Sequence, residues 1–229
     1  MLGYGASPAP TGSYGIPDEV SHLTDLLDRR GIGTFHLVAH SLGAMIGLHL
    51  RRALDARVTR MTLIEPVVVS VLRETGEDTA YREMEGQYQG FMDLVPDPET
   101  AARFFVGHWS GSAAWSAMGA HGRAVVTSLV PKLRQEMIAA RSDCTALAWL
   151  AEAPPPTTIV IGEKTLLAPR ATACRLGSAL AARIVEVPGA AHMIPLTHPQ
   201  TVVDTVLGRR LAATKISPPT AGRSTSPAT

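Results

Sequence analysis

Hydrophobic positions along this chain fall into two patterns. Short runs dominated by apolar and β-branched residues are typical of strands buried in a parallel sheet, and they occupy residues 34–39, 58–65, 157–162 and 183–187. Longer stretches carry apolar residues at helical spacing, and they occupy residues 17–31, 43–54, 171–182 and 199–211. Strands that alternate with helices predict an α/β fold, in which helices flank a parallel sheet.

A long helical segment separates the second and third predicted strands. Acidic residues come first and aromatic residues follow between 67 and 152, which is long for a connection between strands. The run Ala153-Pro154-Pro155-Pro156 marks the return to the sheet. We therefore predict a first core part at 1–66, an insertion at 67–152, a second core part at 153–213 and a disordered tail at 214–229, where Pro, Thr, Ser and Gly predominate.

Ser41 lies where the first predicted strand ends and a helix begins. Small residues two positions before and after it, Ala39 and Gly43, suit a sharp turn between strand and helix, and Gly47 lets the helix lie close to the sheet. Such a turn exposes the serine hydroxyl beside the first free N–H of the helix, that of Leu42. The alternative is a serine that only caps the helix.

The segment Ala39-His40-Ser41-Leu42-Gly43 resembles the nucleophile elbow of the α/β-hydrolase superfamily, usually Gly-x-Ser-x-Gly, with Ala39 in the first position. The segment Leu2-Gly3-Tyr4-Gly5-Ala6-Ser7 resembles the Gly-Tyr-Gly-x-Ser stretch that follows the fourth strand of that superfamily. The resemblance implies a partial α/β-hydrolase fold that begins in the middle of the domain. It also implies that 67–152 forms a helical cap over the active site.

A serine hydroxyl needs a base to become a nucleophile, and eight histidines are available. The loop Gly189-x-x-His192-x-x-Pro195 after the last predicted strand resembles the catalytic-histidine loop of the superfamily. The resemblance implies that His192 is the base, and His198 is the competitor.

The histidine in turn needs a carboxylate to orient it. The superfamily usually supplies this acid just after the strand at 157–162, where Glu163 lies but Thr165 occupies the usual aspartate position. A minority arrangement places the acid at the end of the strand that follows the nucleophile helix, where Glu65 precedes Pro66. We predict Glu65 as the acid, with Glu163 as the alternative.

Four further side chains are candidates for the substrate pocket. Trp109 and Trp115 belong to the predicted cap, His40 precedes the serine, and Met193 follows the histidine. Each aromatic residue of the cap has the alternative of belonging only to the cap's own core.

Composition narrows the choice of partner and compartment. The chain has 21 Lys and Arg, 20 Asp and Glu, and a net charge of +1 without a basic block, which argues against a nucleic-acid or membrane-surface partner and favours a small molecule. Cys144 and Cys174 are too few and too far apart for a disulfide framework or a zinc site. No apolar run reaches about 18 residues. We expect a cytoplasmic protein without a metal or cofactor.

The resemblance implies a serine hydrolase of a small ester, lactone or related carbonyl compound, impaired by a missing N-terminal segment. A non-catalytic protein that binds a small ligand beneath the cap is the main alternative, and C–C cleavage or peroxide chemistry is another. Without its usual neighbour, the strand at 34–39 would form an apolar sheet edge. We therefore expect self-association through that edge.

Overall fold

The computed structural model describes residues 1–10 and 12–209, and the predicted tail at 214–229 lies outside this part. Its sheet has four parallel strands in the order β1-β2-β3-β4. They are β1 (Phe35–His40), β2 (Val58–Ile64), β3 (Thr157–Gly162) and β4 (Arg183–Val187). The predicted α/β class with a parallel sheet is therefore confirmed.

Helices of the described residues connect these strands and fill the segment between β2 and β3. They are α1 (Ile16–Arg29), α2 (Leu42–Leu54), α3 (Val69–Glu74), α4 (Asp78–Leu94), α5 (Pro98–Ser110), α6 (Ala114–Ala117), α7 (Ala120–Ser128), α8 (Val130–Arg141), α9 (Leu147–Leu150), α10 (Leu167–Ala179), α11 (Ile194–Thr197) and α12 (Pro199–Val206). None of them is both long and apolar enough to cross a membrane.

Two predicted helix boundaries need correction. Helix α10 begins at Leu167 rather than at 171, because Pro169 is accommodated in its first turn, where no backbone donor is required. Helix α12 ends at Val206, and Gly208 follows with a φ of 69°, a conformation that terminates helices.

The two central strands of the sheet, β2 and β3, are largely buried on both faces. Successive side chains of a strand point to opposite faces, so the paired strands β2 and β3 supply two hydrophobic clusters. Leu63 and Ile159 pack with Met45 of α2 in the larger cluster. Ile64 and Val160 pack in a second cluster with residues of β4 and α11. This burial explains why the strands consist of apolar runs.

The segment predicted to form the cap contains helices α3 to α9 and no strand among its described residues. It has a core of its own, in which Phe91 of α4 and Val106 of α5 pack with Trp115 and with Leu133 of α8. Its division from the rest of the chain at 67 and 152 stays a prediction.

Strand β1 forms one edge of the described sheet. It pairs there only with β2, and 41% of the Val38 surface is exposed. The predicted apolar edge is thus present in this part of the chain, and association through it stays a prediction.

The close approach of α2 to the sheet is at Gly47. A Cβ atom there would lie 3.0 Å from Leu37 Cδ2 and 3.4 Å from the Ala39 Cβ. At Gly43, a Cβ atom would meet nothing within 4 Å. The predicted need for a small residue at Gly43 was therefore wrong, because strand and helix converge one turn later.

We predict that Gly47→Val lowers the unfolding free energy by about 1–3 kcal/mol, because the larger side chain overpacks the contact with β1. Urea unfolding measures this. Gly86 is a matched control on α4, since it is exposed and a Cβ atom there meets nothing within 4 Å. An equal loss of stability in Gly47→Val and Gly86→Val would contradict the prediction.

Candidate active site

Ser41 occupies the turn between β1 and α2. Its φ of 56° and ψ of −126° are rarely adopted by residues other than glycine. The turn is held from β2, because Ser41 N–H donates to the Ile64 carbonyl at 3.0 Å. The first intrahelical bond then runs from Ala44 N to the Ser41 carbonyl at 2.9 Å. Strain of this kind persists where surrounding structure enforces it.

The turn brings Ser41 to His192, and His192 to Glu65. Ser41 Oγ lies 2.8 Å from His192 Nε2, and His192 Nδ1 lies 3.2 Å from Glu65 Oε2. Nδ1 donates to the carboxylate, which leaves Nε2 to accept the Ser41 hydroxyl proton. The three side chains selected from the sequence therefore form one connected series.

Glu65 is fully buried directly after β2, at a φ of 47°. Its Oε1 accepts the Gly162 N–H at 2.6 Å, and its Oε2 accepts the Thr165 hydroxyl as well as the His192 ring. A buried carboxyl group is costly unless donors surround it. Here β3 and the residues after it provide those donors.

Gly162 also lets the His192 loop pack against the end of β3. A Cβ atom at Gly162 would lie 2.3 Å from the Ala190 carbonyl oxygen, which accepts the Lys164 N–H at 2.8 Å. No side chain fits such an approach, so glycine is needed at this position. Sequence reasoning missed this role of Gly162.

Glu163, the alternative acid, does not bond to His192. It is exposed, and its Oε2 accepts the Gly189 N–H at 2.8 Å. Glu163 is therefore not the carboxyl group that contacts His192, contrary to the alternative, because its side chain turns toward the start of the histidine loop. The competing histidine, His198, bonds to the Thr197 hydroxyl through Nδ1 at 2.9 Å.

Two of the pocket candidates support the histidine loop instead. His40 Nε2 donates to the His192 carbonyl at 2.8 Å, and burial lowers the pKa of His40. The Met193 carbonyl, directly before α11, accepts the N–H groups of Leu196 and Thr197. Neither residue lines the cavity beside Ser41.

That cavity has a volume of about 100 Å³ and lies between Ser41 and the helices α4, α5 and α8. Its walls are mainly apolar, and they include Val67, Phe105, Trp109, Leu133 and Met137. The centroids of the Trp109 and His192 rings lie 4.3 Å apart, and the two ring planes are inclined at 34°. Trp109 thus lies where the sequence predicted it.

Trp115 does not reach this cavity. It packs in the hydrophobic cluster of Phe91, Val106 and Leu133 and borders a separate surface groove with Arg103 and His108. The prediction that Trp115 lines the substrate pocket is therefore wrong. Helix α5 ends at Ser110, and Gly111, with a φ of 90°, changes the direction of the chain before Trp115. Burial, together with nearby His192, lowers the pKa of His108 to about 4.

Comparison with known proteins agrees with this arrangement of strand, serine turn and helix. The sequence model of the family described as "Alpha/beta hydrolase family" matches residues 1–205. The chain belongs to the α/β-hydrolase family.

The similar proteins are distant in sequence, and the chain spans less than half the length of the lipase among them. Lipase LipV of Mycobacterium tuberculosis is 30% identical over 112 residues, which are 48% of this chain and 40% of the lipase. The α/β hydrolase MGS-M2, from a Medee basin deep-sea metagenome library, has a TM-score of 0.75 at 18% identity, covering 94% of this chain and 80% of that one. An esterase from Exiguobacterium antarcticum has a TM-score of 0.70 at 17% identity, covering 90% and 78%. At such identities, the two structures establish the shared fold.

The hydrogen bonds to the buried Glu65 carboxyl group allow a prediction about the stability of this α/β hydrolase. We expect Glu65→Gln to lower the unfolding free energy by about 1–3 kcal/mol, because an amide N–H would face groups that themselves donate. Glu163→Gln is the matched control, since Glu163 is exposed. Chemical denaturation at neutral pH tests both variants, and a larger loss for Glu163→Gln would refute the assignment of the buried donors to Glu65.

Proposed function

We propose that this chain is a serine-dependent hydrolase of small esters, lactones or related carbonyl compounds. The observation that carries the proposal is the hydrogen-bonded series from Ser41 Oγ to His192 Nε2, at 2.8 Å, and from His192 Nδ1 to Glu65. The lipase and esterase names of the similar proteins support an ester as the substrate.

The reaction proceeds by acyl transfer. His192 Nε2 takes the Ser41 proton as Oγ bonds to the substrate carbonyl carbon, and the Leu42 N–H donates to the developing oxyanion. The imidazolium gives its proton to the leaving alcohol, which leaves an acyl-serine. Water, deprotonated by His192, then attacks the acyl-serine, releases the acid and restores the Ser41 hydroxyl.

The cavity beside Ser41 supports a small, uncharged substrate. An apolar cavity of about 150 Å³ holds benzene, so the volume of about 100 Å³ seen here suits a group of a few heavy atoms. The acidic groups at the cavity are paired within the protein, Glu85 with Arg141 at 3.1 Å and Glu136 with Lys132 at 3.3 Å. Ionic recognition of the substrate is therefore not favoured.

We predict that a fluorophosphonate probe labels Ser41, because the probe reacts with a serine whose proton a neighbouring base removes. Ser41→Ala is expected to abolish the labelling and to leave the unfolding temperature nearly unchanged. Intact-protein and peptide mass spectrometry measure the extent and position of the label.

Ser70→Ala is the control for this experiment. Ser70 also lies near a histidine and an acid, but its Oγ donates to Asp143 at 2.5 Å, and His49 binds the same carboxyl group at 2.6 Å. Ser70 is thus buried and bonded to a carboxylate rather than to a histidine ring, so we expect the probe to label Ser70→Ala as it labels wild type. Folded wild-type chain that stays unlabelled would exclude a hydrolase and leave a ligand-binding protein.

We further predict that Glu65→Gln lowers kcat for a p-nitrophenyl ester by about 10³- to 10⁴-fold. An amide N–H opposite Nδ1 favours the His192 tautomer with its proton on Nε2, which cannot accept from Ser41. Glu163→Gln is expected to stay within a few-fold of wild type. If the two variants rank in the opposite order, Glu65 is not the orienting acid.

A further inference from the structure

Gln87 is a buried amide without a partner. Only 3% of its surface is exposed, yet neither Nε2 nor Oε1 has a hydrogen-bond partner among the described residues. Buried polar side chains are almost always hydrogen-bonded. Both ends of this amide are unpaired, so exchanging its O and N atoms would not change the observation.

The side chain lies at the cavity that contains Ser41. Gln87 is on the inward face of α4, between the buried residues Met84 and Phe91, and it lines the cavity together with Ser41 and Met84. Phe105 and Trp109 of α5 complete this region of the wall. The apolar neighbours explain why the amide finds no partner within the protein.

An amide at this position costs stability, because its donors and acceptor lose water without gaining a replacement. A methionine of similar length would fill the same space without that cost. A ligand that offers both an acceptor and a donor would offset the cost on binding. The position therefore favours recognition of a polar group that enters the cavity.

We propose that Gln87 determines substrate specificity, by hydrogen-bonding an uncharged hydroxyl or carboxamide on the part of the substrate that occupies the cavity. The inference rests on the function proposed for Ser41 and His192. Such a group satisfies both atoms of Gln87, since it can donate to Oε1 and accept from Nε2.

The charges around the cavity favour a neutral ligand. Glu136 accepts the Tyr4 hydroxyl at 2.8 Å and lies 3.3 Å from Lys132 Nζ. Arg141 Nε contacts both carboxylate oxygens of Glu85, at 3.1 and 3.2 Å. A carboxylate on the ligand would meet two acidic side chains whose basic partners are already engaged. A neutral hydroxyl or carboxamide is not repelled by these carboxylates.

Matched esters test the proposal with the full chain. In the acyl series, ethyl β-hydroxybutyrate and ethyl malonamate are compared with ethyl isovalerate, which has methyl groups in place of their hydroxyl or amide atoms. In the alcohol series, ethylene glycol monobutyrate is compared with propyl butyrate. We expect wild type to prefer a polar ester over its methyl analogue by about tenfold or more in kcat/KM in at least one series, because the analogue leaves Gln87 unpaired. The preferred member separates hydroxyl from carboxamide recognition.

Gln87→Met is the test variant. We expect the preference to fall to about onefold to threefold, since no amide remains to be paired. We also expect the unfolding temperature without substrate to rise, which a merely structural role of Gln87 would not produce. Gln89→Met is the matched control on the same helix, because Gln89 is exposed and its Nε2 donates to Asp93 at 2.6 Å.

A second measurement separates this inference from the proposed function. Thermal shifts of Ser41→Ala with each ester report binding without turnover, and the additional Gln87→Met change is expected to remove the preference for the polar ester. If the wild-type chain shows neither probe labelling nor hydrolysis, the proposed hydrolase function is wrong. The thermal shifts on ligand binding still test the role of Gln87 in that case. Wild-type hydrolysis or binding that does not distinguish polar from methyl esters overturns the inference, as does an unchanged preference in Gln87→Met.

Discussion

The buried carboxyl group of Glu65 fixes the geometry of the candidate site. It lies at the end of β2 with no exposed surface, and its donors come from Gly162, Thr165 and His192. If one of these hydrogen bonds were missing, burial of the carboxyl group would cost more free energy. The ends of β2 and β3 and the histidine loop are therefore positioned by one another. Ser41 joins the same unit, because its N–H is bound to the last carbonyl of β2, that of Ile64.

His192 is contacted both by a residue next to Ser41 and by the segment predicted to form the cap. His40 binds the His192 carbonyl, and Trp109 stands 4.3 Å from the ring. A base must hold its position while the proton moves, since small displacements weaken proton transfer. The His192 ring is 3% exposed, so electrostatic interactions with it act more strongly than they would in water. The segment at 67–152 thus contributes to the surroundings of His192 as well as to the cavity.

Features encoded locally were predictable from sequence, and those that depend on distant pairing were predictable only in part. The strands, Ser41 and the histidine loop each follow from a short segment. The sequence favoured Glu65 over Glu163 as the acid but left both open. The donors that hold Glu65 beside the ring, Gly162 and Thr165, lie about 100 residues further along the chain. Periodicity also could not separate Trp109 from Trp115, because the break at Gly111 removes any common helical phase between them.

The cavity wall formed by α8 depends on the first residues of the chain. Lys132 of α8 lies 3.4 Å from the fully buried carboxyl group of Glu19, and Tyr4 donates to Glu136 one turn further along α8. Burial and nearby carboxylates raise the pKa of Tyr4, which keeps its hydroxyl protonated and able to donate. Loss of one partner would leave a buried charge uncompensated. These contacts tie helix α8 to α1, so the N-terminal segment helps to set the shape of the cavity beside Ser41.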